Sequence, residues 1–580
     1  MLGVGGWGVW PGATSAAAGE QPAGAQAGRS GNTDWPLHNL DLRNGRFSPL
    51  DQIGAANVGS LAVKWSYEVG PSDNIGQITP LVIDGVMYFN AGSTLFAVDG
   101  ASGALKWKAQ VEPAFPGTGR GPSYGDGRIY AHGLSVVYAV DARTGRLVES
   151  FGNKGRLQIA DAALQFKYPE RDPTGYRVAS PPAYHNGMLY AGLAQSEGHI
   201  PGGLVVAADA KTGAIKWVFN TIPQSPKDEG WEIAKDTWRG GARAGGGMWT
   251  QPAIDPELGL MYVNAGNPSP DYDGSARKGI NLFTNSIVAL RLDTGRLAWH
   301  YQTIHHDLWD WDLVTGPVLF DVTTGGRTIK GVASGGKNCY LYLWNRETGE
   351  PINPIVETTM PTKTDVPGEE VWPTQPIPYT SKGVPMQPFC ATFPILTDPV
   401  LKARARQMYF PYSLRELYIV SHGGSSYGSP AFSPRTNLLY VTGKNAAISL
   451  TVKPVGDTLR QSNTAIGHFA VIAERDEKTG VVPTETVTAF NPATSELVWQ
   501  AEHPSRSNIS SAGNLATAGD LIFQGGDTGD FYALDARTGR RLFRHTAPRA
   551  IRASPITYQV NGTQYVAIVA TNTVLTFALP

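Results

Sequence analysis

Ala533-Leu-Asp-Ala-Arg-Thr-Gly-Arg-Arg-Leu-Phe543 is the stretch that decides the fold. Alternating apolar residues lead into an Asp that opens a tight turn with its own side chain. Thr-Gly then supplies the left-handed position, and alternation resumes up to an aromatic. The phrase recurs at Ala97-Val-Asp-Gly-Ala-Ser-Gly-Ala-Leu-Lys-Trp107, at Ala139-Val-Asp-Ala-Arg-Thr-Gly145 and at Ala208-Asp-Ala-Lys-Thr-Gly-Ala-Ile-Lys-Trp217. It returns at Ala289-Leu-Arg-Leu-Asp-Thr-Gly-Arg-Leu-Ala-Trp299 and Ala489-Phe-Asn-Pro-Ala-Thr-Ser-Glu-Leu-Val-Trp499, with a looser copy at Trp344-Asn-Arg-Glu-Thr-Gly349. Partner strands such as Gly187-Met-Leu-Tyr-Ala191 and Leu260-Met-Tyr-Val-Asn264 precede the copies. Gly103 and Gly145 stand 42 residues apart, and Ser495 and Gly539 stand 44 apart. A self-similar unit of four short strands at that spacing predicts an all-β, eight-bladed β-propeller of four-stranded antiparallel blades. The 146 residues between Gly349 and Ser495 leave room for one further blade, expected at Pro434-Arg-Thr-Asn-Leu-Leu-Tyr-Val-Thr442. Residues 33–580 are expected to form this single domain.

Composition agrees. The 580 residues carry 68 Gly, 42 Pro and 15 Trp with only 17% charged residues, which suits short strands, tight turns and an aromatic core. Lys plus Arg number 48 against 49 Asp plus Glu, so no basic excess argues for a nucleic-acid partner. No apolar run reaches the ~20 residues of a membrane helix. Residues 1–32, with Met1-Leu-Gly-Val-Gly-Gly-Trp-Gly-Val-Trp10 and then Ala13-Thr-Ser-Ala-Ala-Ala18, read as a disordered leader or signal-peptide remnant, which predicts an exported, periplasmic, soluble protein. The two cysteines, Cys339 and Cys390, are as readily free as bonded on this reading, and no C-x-x-C-H motif encodes a covalently attached haem.

Trp107, Trp217, Trp299 and Trp499 share one repeat position and are expected to pack between blades. Trp249 lies outside that position, after Ala244-Gly-Gly-Gly-Met248, where backbone can approach a ligand. Two insertions, residues 220–247 and 354–417, interrupt the period with polar, Pro-rich sequence, and such loops are often functional. The stretch Trp299-His-Tyr-Gln-Thr-Ile-His-His-Asp-Leu-Trp-Asp-Trp-Asp312 ends in three carboxylates, Asp307, Asp310 and Asp312, a costly cluster unless a cation, a proton or solvent neutralises it. Its histidines, His305 and His306, are read as structural. Gly424-Ser-Ser-Tyr-Gly428 fits a nucleophile elbow, but that motif needs a strand-to-helix turn that an all-β repeat lacks.

From Trp35 to Ala567 the chain resembles the quinoprotein dehydrogenases that use pyrroloquinoline quinone (PQQ) on an eight-bladed propeller. The resemblance rests on Ala265-Gly-Asn-Pro268, His306-Asp-Leu-Trp-Asp310 and Leu515-Ala-Thr-Ala-Gly519. It implies that Glu197, Asn267 and Asp310 hold a hard cation, with Asp312 as a further carboxylate. Asp310 is implied as the catalytic base, and Lys337 as the cation beside the reacting quinone oxygen. Gln77, Arg120, Ser180, Trp249, Lys337 and Ser426 are implied to bind PQQ, with Arg120 on a carboxylate and Trp249 beneath the rings. Calcium is the preferred ion. Asp312 keeps a lanthanide open.

The resemblance implies oxidation of an alcohol, a bulky secondary one in the first reading, with electrons passed to an external acceptor such as a cytochrome c, a quinone or a dye. Two departures bear on this. The adjacent cysteines of many alcohol-oxidising members are missing at Ala114-Phe-Pro116, and Gln77 stands where a Glu is usual. An aldose or polyol dehydrogenase is the alternative, prompted by His305-His-Asp-Leu-Trp-Asp310. A non-catalytic envelope propeller ranks last.

Overall fold

The computed structural model describes residues 33–580 apart from 72, 112–118, 194–199, 241–242, 325, 397, 422, 455–468, 475–482 and 507–511. The leader, Glu197 and Ala114-Phe-Pro116 therefore lie outside the described residues.

The repeat phrase forms the turn between the third and fourth strands of a sheet. In blade 1 (Leu81–Ile83, Val86–Ala91, Thr94–Asp99, Leu105–Gln110), Asp99 Oδ1 accepts from the backbone N–H of Ala101 and Ser102 and from the Ser102 hydroxyl. Gly103, at φ +73°, donates its N–H to the Asp99 carbonyl. The aromatic that follows docks on the neighbouring blade. Trp107 donates its indole N–H to the Ala142 carbonyl at 3.1 Å and lies flat on Gly145. Trp217 does the same to Leu292 O and Gly295, Trp299 to Arg346 O and Gly349, and Trp499 to Ala536 O and Gly539. The shared Trp position is thus a seam between blades, as expected.

These seams require glycine for space as well as conformation. A Cβ on Gly145 would sit 2.7 Å from the Trp107 ring, whereas Gly127, at the same φ of +72°, has nothing within 4 Å. Gly145→Ala is expected to cost about 2 kcal/mol more than Gly127→Ala, which carries backbone strain alone. Thermal unfolding of the two variants measures the difference.

Eight sheets close the ring. Blades 2, 3 and 4 span Ser123–Gln158, Ala183–Asn220 and Ala253–Gln302, each with four strands. Blade 5 has three, Val318–Thr324, Arg327–Gly335 and Leu341–Asn345. Blade 7 is Leu515–Thr546, and Phe47–Ser48 adds to it in parallel. Blade 8 joins the two ends of the chain, with Ala62–Glu68 pairing antiparallel to Thr573–Ala578. Trp65 on that first strand covers Gly103 and donates to Gly100 O, sealing the ring.

The blade count of eight agrees with expectation, but one assignment is corrected. Leu438–Asn445 pairs with Thr484–Asn491, so the Pro434–Thr442 stretch and the Ala489 repeat belong to one blade, number 6. The hairpin of Ala447–Pro454 and Phe469–Glu474 is inserted between those strands. The eighth blade is the closure of the two ends, which no internal repeat announces.

A segment before the ring laces its base. Carbonyls of Leu42, Arg43, Gly45 and Arg46 accept from Ile254, Leu319, Phe432 and Ala516, the first strands of blades 4 to 7. Trp35 bridges Val82 of blade 1. Arg46, fully buried, donates to the carbonyls of Asn514, His38 and Pro555 and to Asn39 Oδ1, and stacks on Trp35. The insertion of residues 354–417 folds as a separate hairpin (Ile355–Thr359 with Thr374–Pro378) and a short helix, and its Ala405–Arg406 pairs with Tyr418–Ser421. It packs its aromatics on the loop that carries Asp310.

Candidate active site

The loop after blade 4 is built by Asp307. Its Oδ1 accepts the Trp309 N–H at 2.7 Å and its Oδ2 the Trp311 N–H at 2.8 Å and the Asn285 amide at 3.0 Å. Burial pushes this carboxyl up from its ordinary range, against the two backbone N–H groups that favour the ionised form. Asp307 is a turn former whose two oxygens are satisfied by backbone and amide donors. The turn stacks Trp309 on Trp311, centroids 5.0 Å apart, with Tyr409 of the insertion edge-on to both. Asp310 stands between the two indoles in the chain at φ +59°, a left-handed position that Asp tolerates better than most residues.

Lys337 bridges the other two carboxylates. Its Nζ lies 2.8 Å from Asp310 Oδ1 and 2.6 Å from Asp312 Oδ2, with Asp312 fully buried. Asp312 Oδ1 accepts the Asn267 N–H at 2.8 Å, so one carboxylate ties the Lys337 and Asn267 loops together. The Asn267 amide is oriented without ambiguity: its NH2 donates to Asp271 Oδ1 at 2.9 Å and to the Pro268 carbonyl at 3.2 Å, and both are acceptors. Its Oδ1 is buried and finds no hydrogen bond among the described residues. Backbone packing fixes the position. Gly245, at φ +98°, approaches so closely that a Cβ would lie 2.6 Å from the Asn267 carbonyl.

Beside this group lies a half-buried indole flanked by cations. Arg120 Cζ is 4.9 Å and Lys337 Nζ 6.0 Å from the centre of the Trp249 ring. Arg120 also donates to the Trp249 carbonyl, and its guanidinium lies 5.0 Å from the Tyr427 ring. Ser180 donates to the Thr250 carbonyl at 3.3 Å, next to Trp249. Gly424, at φ +56°, presses on the Lys337 backbone and brings the Ser425-Ser426-Tyr427 loop alongside, with Ser426 buried. The Gly424–Gly428 motif is thus a loop contact of the site and precedes no helix. Gln77 is half-buried and its amide bonds to no described residue, although Thr79, two residues on, donates to the Arg120 carbonyl. The structure therefore gathers Arg120, Ser180, Trp249, Asn267, Asp310, Asp312, Lys337 and Ser426 in one neighbourhood. Sequence reading missed Asp271, which orients Asn267, and Tyr427. The signal for Asp271 was its place four residues after Asn267, on the same short Pro-rich turn.

Cys339 and Cys390 are bonded, with Cα atoms 5.2 Å apart and 51 residues between them in sequence. The bond fastens the insertion two residues beyond Lys337. Loss of a crosslink over such a loop is expected to destabilise the protein by about 2–4 kcal/mol. Cys390→Ser, followed by denaturant unfolding and limited proteolysis of residues 354–417, checks both the magnitude and the place.

Tyr272 and Tyr412 form a wall near Asp310, with centroids 6.1 Å apart. Burial, and then neighbouring carboxylates that include Asp310, hold both hydroxyls well above the ordinary range, so both stay protonated. Among the described residues no three His, Cys, Asp or Glu side chains form a metal-ligating group. The donors present are an amide oxygen and two carboxylates, a hard-oxygen set that fits a hard cation. A half-buried indole with two cations against it fits a flat anion. No helix among the described residues is long and apolar enough to cross a membrane.

Residues 35–566 match the family described as PQQ: glucose/ethanol/alcohol dehydrogenase, β-propeller domain. The chain is 32% identical over 565 residues to the alcohol dehydrogenase (quinone), dehydrogenase subunit, of Komagataeibacter europaeus, covering 92% of this chain and 71% of the relative. It is 28% identical over 564 residues to the quinohemoprotein alcohol dehydrogenase ADH-IIG of Pseudomonas putida, covering 93% and 72%. The crystal structure of quinohemoprotein alcohol dehydrogenase from Comamonas testosteroni superposes with a TM-score of 0.74 at 25% identity over 96% of this chain and 81% of that one. A europium-containing methanol dehydrogenase shares the fold, with a TM-score of 0.73 at 22% identity over 95% of this chain and 99% of that one. The chain belongs to the PQQ-dependent glucose/ethanol/alcohol dehydrogenase family of eight-bladed β-propellers and is an oxidoreductase of that family.

Proposed function

We infer that this chain oxidises an alcohol to a ketone or aldehyde, with Asp310 as the base that takes the hydroxyl proton. The observation that carries this is the Asp310–Lys337 pair at 2.8 Å beside the cation-flanked Trp249 ring. A carboxylate paired with an ammonium can accept a proton from a bound hydroxyl. Glu197, Asn267 and Asp310 would hold Ca²⁺, and Gln77, Arg120, Ser180, Trp249, Lys337 and Ser426 would hold PQQ. The chemistry that bound PQQ and its cation supply is two-electron acceptance of the carbinol hydride at a polarised carbonyl. Everything else is positioning by this chain. Lys337 fixes Asp310, Asp312 fixes Lys337 and the Asn267 backbone, and Asp271 holds the Asn267 NH2 so that the amide oxygen is left for another partner. Calcium is preferred over a lanthanide because both Asp312 oxygens are engaged, one by Asn267 and one by Lys337.

The aromatic wall of Tyr272 and Tyr412 supports an alcohol with an apolar substituent, such as a bulky secondary alcohol. The aldose or polyol reading, prompted by His305-His-Asp-Leu-Trp-Asp310, is the alternative; the two histidines of that motif are bonded to glutamates of the insertion. Electrons would pass to an external acceptor. Residues 33–580 would act as one domain, and the Cys339–Cys390 bond supports an oxidising compartment such as the periplasm. The test is reconstitution with PQQ and Ca²⁺, or with La³⁺, followed by dye reduction on 2-propanol, bulkier secondary alcohols and glucose. Reduction with secondary alcohols and Ca²⁺ is expected. Activity on glucose alone, or on no alcohol, overturns the assignment.

A further inference from the structure

Two histidine–glutamate pairs fasten the insertion to the catalytic loop. His305 Nε2 lies 3.0 Å from Glu357 Oε1, and His306 Nε2 lies 2.7 Å from Glu369 Oε1. Their surroundings differ. The Glu357 side chain is 52% exposed, whereas those of His306 and Glu369 are 0% and 3% exposed. The exposed pair is screened and contributes little, while breaking the buried one leaves a polar group stranded.

Hydrogen bonding fixes how many protons the buried pair holds. His306 Nδ1 lies 2.8 Å from the Gly279 carbonyl, which can only accept, so Nδ1 carries a hydrogen. Nε2 then faces a carboxyl oxygen at 2.7 Å, and that short contact needs a second proton, on the ring or on Glu369. Glu369 Oε2 also accepts the Gly274 N–H at 2.7 Å. The charged groups around the pair are Asp307 on its own loop, Asp271, Asp273, Arg277 and Lys278 on the segment after Asn267, and Glu370 on the insertion. Arg277 reaches the same loop, donating to the Asp307 carbonyl at 2.5 Å.

We propose that His306 and Glu369 are positioning residues for the reaction: one shared proton clasps the 354–417 insertion onto the loop four residues before Asp310, and breaking that hydrogen bond loosens the loop. This rests on Asp310 being the base. Without the proton, an imidazole lone pair and a carboxylate would face each other at hydrogen-bond distance in a site closed to water.

The test uses the full chain, free of cofactor for amide exchange and loaded with PQQ and Ca²⁺ for kinetics. In Glu369→Ala, kcat is expected to fall roughly 10- to 100-fold with KM far less changed, the effect of a displaced catalytic group. The Trp309 and Trp311 amides, both bonded to Asp307, should exchange on the order of tenfold faster in the cofactor-free protein. Glu369→Gln, which keeps the shape and can donate to a neutral imidazole, should restore protection and most of kcat. Glu357→Gln should change neither. Wild-type exchange and kcat in Glu369→Ala overturn the clasp, and exchange and kcat in Glu369→Gln no better than in Glu369→Ala overturn the hydrogen bond as its cause. If Glu369→Ala does not fold, the Gln variant decides. Turnover retained by Asp310→Asn would remove the base assignment and leave the exchange result standing.

Discussion

Asp310→Asn is expected to lower kcat by about three orders of magnitude, within the range that a general base contributes, while thermal stability and PQQ affinity change little. The asymmetry follows from what the amide keeps and what it loses. An Asn at this position can still accept from Lys337 through its carbonyl oxygen, and Asp312, 2.6 Å from the same ammonium, still balances its charge. The surrounding turn is held by Asp307, not by Asp310, so the loop survives. The left-handed φ of +59° is as available to Asn as to Asp. What disappears is a group able to take a proton. The measurements are single-turnover dye reduction and titration of PQQ into the cofactor-free variant. Turnover within about tenfold of wild type would remove Asp310 from the base role. Lost PQQ binding with residual chemistry would make its main duty the holding of the cofactor's ion.

Much of this was legible in the chain because the repeat is a local device. Asp99, Ser102 and Gly103 satisfy one another within five residues, and the Trp that follows needs only a glycine on the next blade. Blade 6 misled because a hairpin separates its second and third strands, so one sheet leaves two distant traces. Blade 8 left no trace because its strands come from opposite ends of the chain. At the site, Asn267, Asp310 and Lys337 could be nominated only through motifs shared with a family. Their supporting groups could not be, since Asp271 and Glu369 look like ordinary polar residues until tertiary contacts show which donors they face, and Asp307, noticed in the carboxylate cluster, shows its turn-forming role only there. The carboxylate cluster in the sequence was read as a demand for neutralisation. The protein answers part of that demand itself, with backbone N–H groups bonded to Asp307 and with Lys337 between Asp310 and Asp312. Glu197, outside the described residues, carries the part of the cation reading that the geometry leaves to experiment.

Lys337→Met should be the second most damaging change, and it separates charge balance from cofactor contact. Removing the ammonium leaves Asp310 and Asp312, 15% and 0% exposed, with their shared cation gone. An uncompensated charge in such a site costs about 3 kcal/mol, so the cofactor-free variant should unfold at clearly lower denaturant. Turnover should drop roughly 100-fold, because Asp310 loses the contact that fixes its place. Arg at this position keeps the charge and should recover stability more fully than rate, since its planar fork cannot reproduce one nitrogen between two carboxylates. The decisive arm is calcium. If Asn267 and Asp310 contribute to a cation site, Ca²⁺ should stabilise Lys337→Met more than it stabilises wild type, because bound ion then also supplies the missing positive charge. A Tm shift with Ca²⁺ that is equal in both proteins would place the ion away from these carboxylates. The buried oxygen of Asn267 would then need another partner.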